Sequence, residues 1–244
     1  MQILDFTVTE NTQLTCDIWR VRLHNSQAEK PQVGQFVNLK IDGLYLRRPI
    51  SICDWEDGTY TLIYRVVGEG TVALTQAQPG QVVNMLTGLG NGFTIMPVQW
   101  PLLIGGGVGV PPLYYLAKEL IAAGQQPIAL LGFAKQDDVF YADEFAALCE
   151  TKVVVGGYIT DHLDNAQRSD GAPPQAVYAC GPLPMLQAIC NTAKELPPGH
   201  VQLSLEARMA CGFGACMACT CRTVKGYKRI CKDGPVLTKE EIVW

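Results

Sequence analysis

The sequence lacks any long apolar run and any excess of positive charge. No stretch reaches eighteen consecutive apolar residues, the length that a membrane-spanning helix needs. The formal net charge is −4, so no bulk attraction to nucleic acid or to an anionic membrane is indicated. We therefore expect neither nucleic acid nor a membrane among the partners.

We also expect no secretory signal, because the opening MQILDFTVTE has no basic region followed by an apolar run. The ten cysteines could still suggest a secreted disulfide protein. Five of them, however, are scattered, and the other five are bunched between positions 209 and 231. Without a signal, bunched thiols more often hold metal than form bridges, so we expect a cytoplasmic protein. The scattered cysteines are Cys16, Cys53, Cys149, Cys180 and Cys190.

Residues 1–98 have the pattern of β structure. The 244 residues suffice for two compact domains, and 48% hydrophobic with 17% charged residues is typical of a globular protein. Short alternating runs recur up to residue 98, separated by turn signals such as Asp57-Gly58 and Pro79-Gly80. This spacing predicts an antiparallel barrel of six strands.

Residues 99–200 alternate between strand and helix patterns. WPLLIGGG is typical of a buried strand, and Leu113, Leu116 and Leu120 then form a helical stripe between a Pro-Pro start and Gly124. PIALLGF and AVYACG predict further strands, and DDVFYADEFAALC and PMLQAICNTAKEL predict helices. The alternation predicts a doubly wound parallel sheet, followed by a third part at residues 201–244.

The third part contains the bunched cysteines. Cys211, Cys216 and Cys219 are spaced C-x4-C-x2-C, and eleven residues separate them from Cys231. This is the plant-type [2Fe–2S] pattern. A structural zinc site with the same four thiols and a pair of disulfides are the alternatives, although zinc loops usually show two similar compact knuckles. Cys221, two residues after Cys219, is surplus to the pattern.

Two segments of the first part suit a flavin. LRRPISI, residues 46–52, places Arg48 to contact a phosphate and Ser51 to face a ring. IYRVVGEGT, residues 63–71, puts Gly68 and Gly70 before a short helix that Thr71 would cap, and a helix N-terminus suits a pyrophosphate. Each segment alone also fits a solvated arginine or an ordinary glycine turn.

Two glycine turns of the second part suit a nicotinamide nucleotide. LLIGGGVGVPPL follows a strand and precedes a helix, but Val110 stands at the third fingerprint position and no acid ends the next strand. YACGPLPM is a similar turn, and its cysteine ends a strand, where open α/β sheets bind ligands; a small buried hydrophobe is the alternative for that cysteine. The candidate nucleotide contacts are Gly105, Gly106, Gly107, Gly109, Cys180, Gly181 and Pro182.

These segments together resemble one known family. LRRPISI, LIYRVVGEGT, LGNGF, GGGVGVPPLY, GFAKQDDVF, YACGP, EARMACGFGACMAC and YKRICKDGPV are similar to the ferredoxin–NAD(P)H reductase superfamily and, within it, to electron-transfer subunits of dihydroorotate dehydrogenase B. The resemblance implies FAD on the barrel, NAD(H) on the sheet domain and a [2Fe–2S] cluster near the C-terminus. It implies FAD contacts at Arg48, Pro49, Ile50, Ser51, Ile63, Tyr64, Arg65, Gly70 and Thr71, and cluster ligands at Cys211, Cys216, Cys219 and Cys231.

The resemblance also implies a function. A partner subunit would oxidise dihydroorotate at its FMN, in pyrimidine biosynthesis, and this chain would relay the electrons through the cluster and FAD to NAD+. The flavin stands between because it exchanges both single electrons and hydride. The resemblance implies a heterotetramer with two copies of each subunit and no catalytic residue for dihydroorotate in this chain.

Two alternatives to this function are open at this point. The first is a reductase subunit for another partner, such as a bifurcating NADH–ferredoxin:NADP oxidoreductase, a sulfhydrogenase or an oxygenase. Relatives of the bifurcating type tend to have an IPLTI-like segment where this chain has RRPISI. The second is a non-enzymatic zinc-binding interaction module.

The chain departs from the family pattern in two places, and it carries a local basic run. The segment Val153 to Leu163 is shorter than the family's acidic–Gly–Ser stretch, and because it adjoins the nucleotide cleft this shortening bears on the strength of NAD binding. Thr87-Gly88 replaces a common Gly-Pro, with little expected consequence. The basic run near the cysteines is either a docking surface for the partner or a solvated hairpin; it consists of Arg222, Lys225, Lys228, Arg229 and Lys232.

Overall fold

The computed structural model describes residues 1–163 and 171–244. Its first six strands close into an antiparallel barrel in the order β1-β2-β5-β4-β3-β6, which confirms the predicted six-stranded barrel. Alternate residues such as Val21, Leu23 and Leu62 fill the barrel interior. The strands are β1 Gln2–Gln13, β2 Ile18–His24, β3 Phe36–Leu39, β4 Arg48–Glu56, β5 Thr59–Arg65 and β6 Val82–Leu89, and helix α1 is Glu69–Thr75.

A six-stranded sheet follows the barrel in the order β14-β11-β10-β7-β8-β9. Its strand pairs are parallel except for β14, which runs antiparallel to β11. The strands are β7 Pro101–Gly106, β8 Ile128–Phe133, β9 Glu150–Val155, β10 Ala176–Cys180, β11 Val201–Ser204 and β14 Val236–Thr238. The helices are α2 Pro111–Ala122, α3 Ala142–Ala146 and α4 Leu183–Thr192.

Helices cover both faces of this sheet. Leu103 of β7 belongs to the same buried cluster as Leu116 of α2. Its neighbours Leu102 and Ile104 belong to the cluster that contains Leu186 of α4. Because successive side chains of a strand point to opposite faces, a continuous apolar strand needs cover on both sides. The predicted doubly wound arrangement is confirmed.

The helices are shorter than the sequence patterns predict. The segment predicted as one helix between Asp137 and Cys149 contains only α3, and Gln136–Asp138 forms a separate 3-10 turn. Tyr141, with a φ of 59°, interrupts helical geometry between them. Helix α4 ends at Thr192, because the backbone leaves helical geometry at Ala193, whose ψ is 41°.

The cysteine segment is attached to both larger units. It contains the hairpin of β12 Thr220–Thr223 and β13 Gly226–Arg229, the short helix α5 Ile230–Asp233, and β14 in the main sheet. Asn91, just after the barrel, donates to the Val236 carbonyl at 2.7 Å.

The barrel and the sheet domain also contact each other directly, since Lys118 of α2 forms an ion pair with Asp54 of the barrel at 2.8 Å. Within the described ranges, no helix has the length and apolar character to cross a membrane.

Candidate functional site

The first candidate site lies where β4 meets the N-terminus of α1. The Arg48 guanidinium packs against Gly70 so closely that a Cβ at Gly70 would lie 2.3 Å from the Arg48 Nε. The Arg48 side chain also donates to the Leu46 carbonyl. A guanidinium beside the free N–H groups of a helix start can bind a phosphate or pyrophosphate. The structure thus brings these two predicted FAD contacts together.

Thr71 has a different local role from the predicted one. Helix α1 begins at Glu69 with Gly68 as its N-cap, so Thr71 lies inside the first turn and the predicted cap at Thr71 is wrong. Its hydroxyl accepts hydrogen bonds from the backbone N–H groups of Val67 and Gly68, at 2.9 and 3.2 Å. The glycine turn offers no side-chain oxygen, so the hydroxyl reaches back to close the turn from within the helix.

The remaining predicted FAD contacts divide between a surface and the interior. Antiparallel pairing sets Pro49 opposite Asn38 and Ser51 opposite Phe36, so these four side chains share one outer face of the barrel. The Ile50, Ile63 and Tyr64 side chains are instead buried in the core. Arg65 is exposed and forms an ion pair with Asp17 at 3.1 Å.

The second candidate site is a cleft of about 820 Å³ at the carboxyl ends of the parallel strands. Ligands bind in this position in open α/β sheets. Four predicted nucleotide contacts line the cleft, namely Gly106, Gly107, Gly181 and Pro182, and Arg65 of the barrel lines it as well. The cleft therefore lies between the glycine turns and the end of barrel strand β5.

The other predicted nucleotide contacts lie behind the cleft wall. Gly109 packs on the end of β10, where a Cβ would lie 2.2 Å from the Cys180 carbonyl oxygen. Gly105 is buried against Val110 in the same way. Burial, followed by the nearby Glu206, raises the pKa of the Cys180 thiol to about 12. Cys180 is therefore a neutral thiol at the back of the site.

The segment between positions 153 and 163 also lines the cleft. After β9, Gly156 and Gly157 have positive φ angles, and a 3-10 turn spans Ile159–His162. Tyr158 is exposed, and it lines the cleft together with Thr160 and Asp161. The short segment thus supplies one wall with an aromatic ring and polar groups.

The third candidate site is the cysteine loop. Cys211 accepts hydrogen bonds at its sulfur from the backbone N–H groups of Ala215 and Cys216, at 3.3 and 3.4 Å. Partial burial opposes ionisation of Cys211, but hydrogen bonds from Cys216, Phe213 and Ala215 outweigh it and lower its pKa to about 6. Cys216 is exposed. The loop backbone thus favours a thiolate at Cys211.

The other two predicted cluster ligands are buried. Cys219 and Cys231 are 3% and 2% exposed, in one apolar cluster with Phe36, and the Cys231 N–H donates to the Cys219 sulfur at 3.3 Å. Burial, and then the thiols of Cys219 and Cys211, raise the pKa of Cys231 to about 12. Cys221 lies one residue into β12 and pairs with Lys228 across the hairpin.

Part of the basic run is paired within the chain. Lys228 forms an ion pair with Glu241, and Arg229 forms one with Asp233 at 2.9 Å. Arg229 also donates to the Gly214 carbonyl at 2.9 Å, inside the cysteine loop. Arg222 and Lys225 are exposed. Lys228 and Arg229 of the run thus make contacts within the cysteine segment, while Arg222 and Lys225 display their charge.

The donor sets suit the implied cofactors. The Cys231 thiol interacts with those of Cys219 and Cys211, and the Cys211 thiol interacts with that of Cys216, so the four cysteines form a connected chain. Backbone N–H groups point at the sulfurs of Cys211 and Cys219. Such donors accompany iron–sulfur clusters. Among residues 1–163 and 171–244, no three His, Cys, Asp or Glu side chains converge on a single metal ion. On the barrel, the buried Asn38 Oδ1 lacks a donor among the described residues, close to the flavin segment.

Sequence reasoning missed Glu206 and Asn38, and it named Arg229 as one of the basic run without its contact to Gly214. Glu206 lines the cleft two residues after β11, where desolvation by the cleft walls raises the pKa of its carboxyl and Arg65 partly offsets the shift. The rule that ligands bind beyond the carboxyl ends of parallel strands could have found it. Asn38 is a polar residue within the apolar run FVNL, which is also a readable signal. Nothing in the local pattern distinguishes Arg229 from its basic neighbours.

Comparison with known proteins places these sites in a family. Residues 206–243 match a family model described as the iron–sulfur cluster binding domain of dihydroorotate dehydrogenase B. The dihydroorotate dehydrogenase B (NAD(+)) electron transfer subunit of Fusobacterium nucleatum subsp. nucleatum is 41% identical, and the alignment covers 99% of both chains. The subunit of the same name from Bacillus caldolyticus is 44% identical over 88% of each.

Solved structures share the fold. A structure of the NADH-dependent reduced ferredoxin-NADP oxidoreductase, studied for flavin-based electron bifurcation, matches with a TM-score of 0.86 at 28% identity. That match covers 98% of this chain and 90% of the other. Phthalate dioxygenase reductase matches with a TM-score of 0.66 at 18% identity, over 92% of this chain and 74% of the other.

Proposed function

The chain belongs to the family of dihydroorotate dehydrogenase B electron-transfer subunits, and we propose that it relays electrons from a separate catalytic subunit to NAD+. The observation that carries the proposal is family-level identity over nearly the whole chain, together with the four cysteines in the [2Fe–2S] spacing. When bound, FAD would supply hydride exchange with the nicotinamide and one-electron exchange with the cluster.

The barrel residues would hold FAD in two places. Arg48, with the N-terminal turn of α1 that Gly70 and Thr71 shape, would bind the pyrophosphate through charge and N–H groups. Pro49 and Ser51, on the outer face of β4, would contact the ring system. The side chains of Ile50 and Tyr64 are buried in the barrel interior, and that of Ile63 is buried in the cluster shared with the sheet domain.

The cleft would hold NAD(H). The backbone turns at Gly106 and Gly181 leave room for close approach of the nucleotide, and Tyr158 can pack on a base. Arg65 and Glu206 lie where the cleft meets the barrel. These groups bind and orient the nucleotide; the neutral thiol of Cys180 backs the site without supplying charge.

The catalytic partner would be an FMN-containing subunit that oxidises dihydroorotate, in a heterotetramer with two copies of each subunit in the cytoplasm. Arg222 and Lys225 are the members of the basic run that we assign to docking, because Lys228 and Arg229 are engaged within the chain. Charge reversal at Lys225 should weaken assembly, because it removes the electrostatic attraction between this residue and the partner subunit at the edge of the interface. Unchanged assembly would remove this docking assignment.

The test is reconstitution with the candidate catalytic subunit. The purified complex should show flavin bands and broad cluster absorption, and it should reduce NAD+ in the presence of dihydroorotate. Reduced ferredoxin with NADP serves as the comparison assay, because the solved bifurcating relative has this fold. A colourless, zinc-loaded chain, or activity only with ferredoxin, would contradict the proposal.

A further inference from the structure

Asn38 is a buried polar residue between the barrel and the cysteine loop. It lies within β3 and is 1% exposed, while its neighbours Val37 and Leu39 fill the barrel interior. Alternation along the strand therefore turns the Asn38 side chain outward. On that side it meets the backbone of Cys211 and Gly212.

The amide nitrogen of Asn38 holds the cysteine loop. Nδ2 donates to the Cys211 carbonyl at 3.3 Å. Gly212 lies so close that a Cβ there would be 2.3 Å from Nδ2, and its φ of 78° also favours glycine. The contact joins a barrel strand directly to the loop that carries the first predicted cluster ligand.

The amide oxygen of Asn38 has no partner among the described residues, although it is buried. The orientation of the Asn38 amide follows from its hydrogen bond to Cys211. If the amide were flipped, its Oδ1 would face the Cys211 carbonyl oxygen, and two acceptors would repel each other. Buried carbonyl oxygens nearly always accept a hydrogen bond in folded proteins. This oxygen is therefore placed to accept one from a group that binds here.

The register of the strands indicates which group that is. Asn38 pairs with Pro49, and Phe36 with Ser51, so the free oxygen lies on the barrel face that carries two of the proposed FAD contacts. A flavin offers donors of the required kind, namely the N3–H of its ring and the hydroxyls of its ribityl chain. Phe36 on the same face belongs to the same buried cluster as Cys219 and Cys231.

We propose that Asn38 is a positioning residue that ties the flavin to the cluster loop, with its Nδ2 holding Cys211 and its Oδ1 accepting a hydrogen bond from the flavin. This inference rests on the proposed function, because it requires both cofactors in one chain. It adds a direct contact through which the barrel fixes the loop relative to the flavin.

The test uses the full chain with its cofactors and does not depend on activity. Asn38→Ala should raise the Kd for FAD by about 3- to 10-fold, which is the loss of one hydrogen bond. The cluster absorption should also bleach about 3- to 10-fold faster in the presence of an iron chelator, because the loop has lost its anchor. Unchanged FAD affinity and bleaching would overturn the inference.

Asn38→Asp separates the two ends of the side chain. It keeps the volume and an acceptor oxygen but sets a carboxylate against the Cys211 carbonyl, so bleaching should accelerate while the Kd for FAD stays within about twofold. If Asn38→Asp loses FAD as much as Asn38→Ala does, the acceptor role is wrong. This variant also keeps the test decisive if Asn38→Ala does not fold.

Gln125→Ala is the matched control. Gln125 is likewise buried, donates to a backbone carbonyl (Met96, at 2.7 Å), and leaves its oxygen unpartnered within the described ranges, but it lies in the sheet domain. It should leave FAD affinity and bleaching unchanged; an equal effect would assign both results to general destabilisation and overturn the inference. A wild-type chain without flavin and cluster spectra would instead refute the proposed function.

Discussion

The two halves of the cysteine site lie in opposite surroundings. Cys216 is exposed and Cys211 is half-buried, and the Cys211 sulfur accepts hydrogen bonds from the N–H groups of its own loop. Cys219 and Cys231 are buried among apolar side chains from the barrel and the sheet. The surroundings of the first pair are set by local loop geometry, whereas those of the second pair are set by the folding of the whole chain.

The largest effect on the cluster is expected from replacing one of the two buried cysteines. Cys231→Ser should abolish the cluster absorption completely and should also destabilise the chain, because it puts a hydroxyl into an apolar cluster. Absorption spectra and thermal unfolding measure the two effects. Cys221→Ser is the control, since Cys221 stands outside the ligand pattern, and loss of the cluster there would mean that the wrong four were chosen.

A weaker perturbation loosens only the surface half. Arg229 joins the two halves, because it binds the Gly214 carbonyl in the loop and Asp233 beside Cys231. Arg229→Ala should speed chelator-driven bleaching about tenfold, because a rate change of about this size corresponds to the loss of one charge-assisted hydrogen bond. The FAD content should stay unchanged.

Lys228→Ala is the neighbouring control for this variant, because its ion pair with Glu241 lies away from the loop. Equal bleaching in the Lys228 and Arg229 variants would assign the effect to net charge and not to the clamp on Gly214.

The smallest expected effect is a difference in reactivity between Cys211 and Cys231, which can be measured without any substitution. In the cluster-free chain, the Cys211 thiolate persists down to a pH of about 6 and is lost as the pH falls below it. Iodoacetamide should therefore modify Cys211 at neutral pH and spare Cys231, whose pKa is raised to about 12. Mass spectrometry of pH-stepped samples measures this. In denaturant both should titrate near about 8.5, and persistent selectivity there would refute the structural cause.

Much of the fold could be predicted because the relevant signals are local. Alternating strands define the barrel, and apolar strands with intervening helices define the doubly wound sheet. The length of α3 could not be predicted, since the left-handed conformation of Tyr141 is invisible in the sequence.

The candidate site was less predictable for a similar reason. The cysteines follow a spacing rule, but Asn38 meets its partner Cys211 across 173 positions of sequence. Several predicted contacts, including Ile50 and Tyr64, proved to be buried, because a motif fixes the strand and not the direction of each side chain.

The return of the chain to the main sheet has a consequence for protein engineering. Since β14 pairs with β11, the segment from 206 to 235 is an insertion anchored at both ends and not a detachable tail. Deleting everything after residue 205 would leave β11 as an open edge strand with the apolar residues Val201 and Leu203 and free backbone groups, which invites edge-to-edge aggregation. A cluster-free version of this protein is better made by shortening the insertion and keeping its final strand.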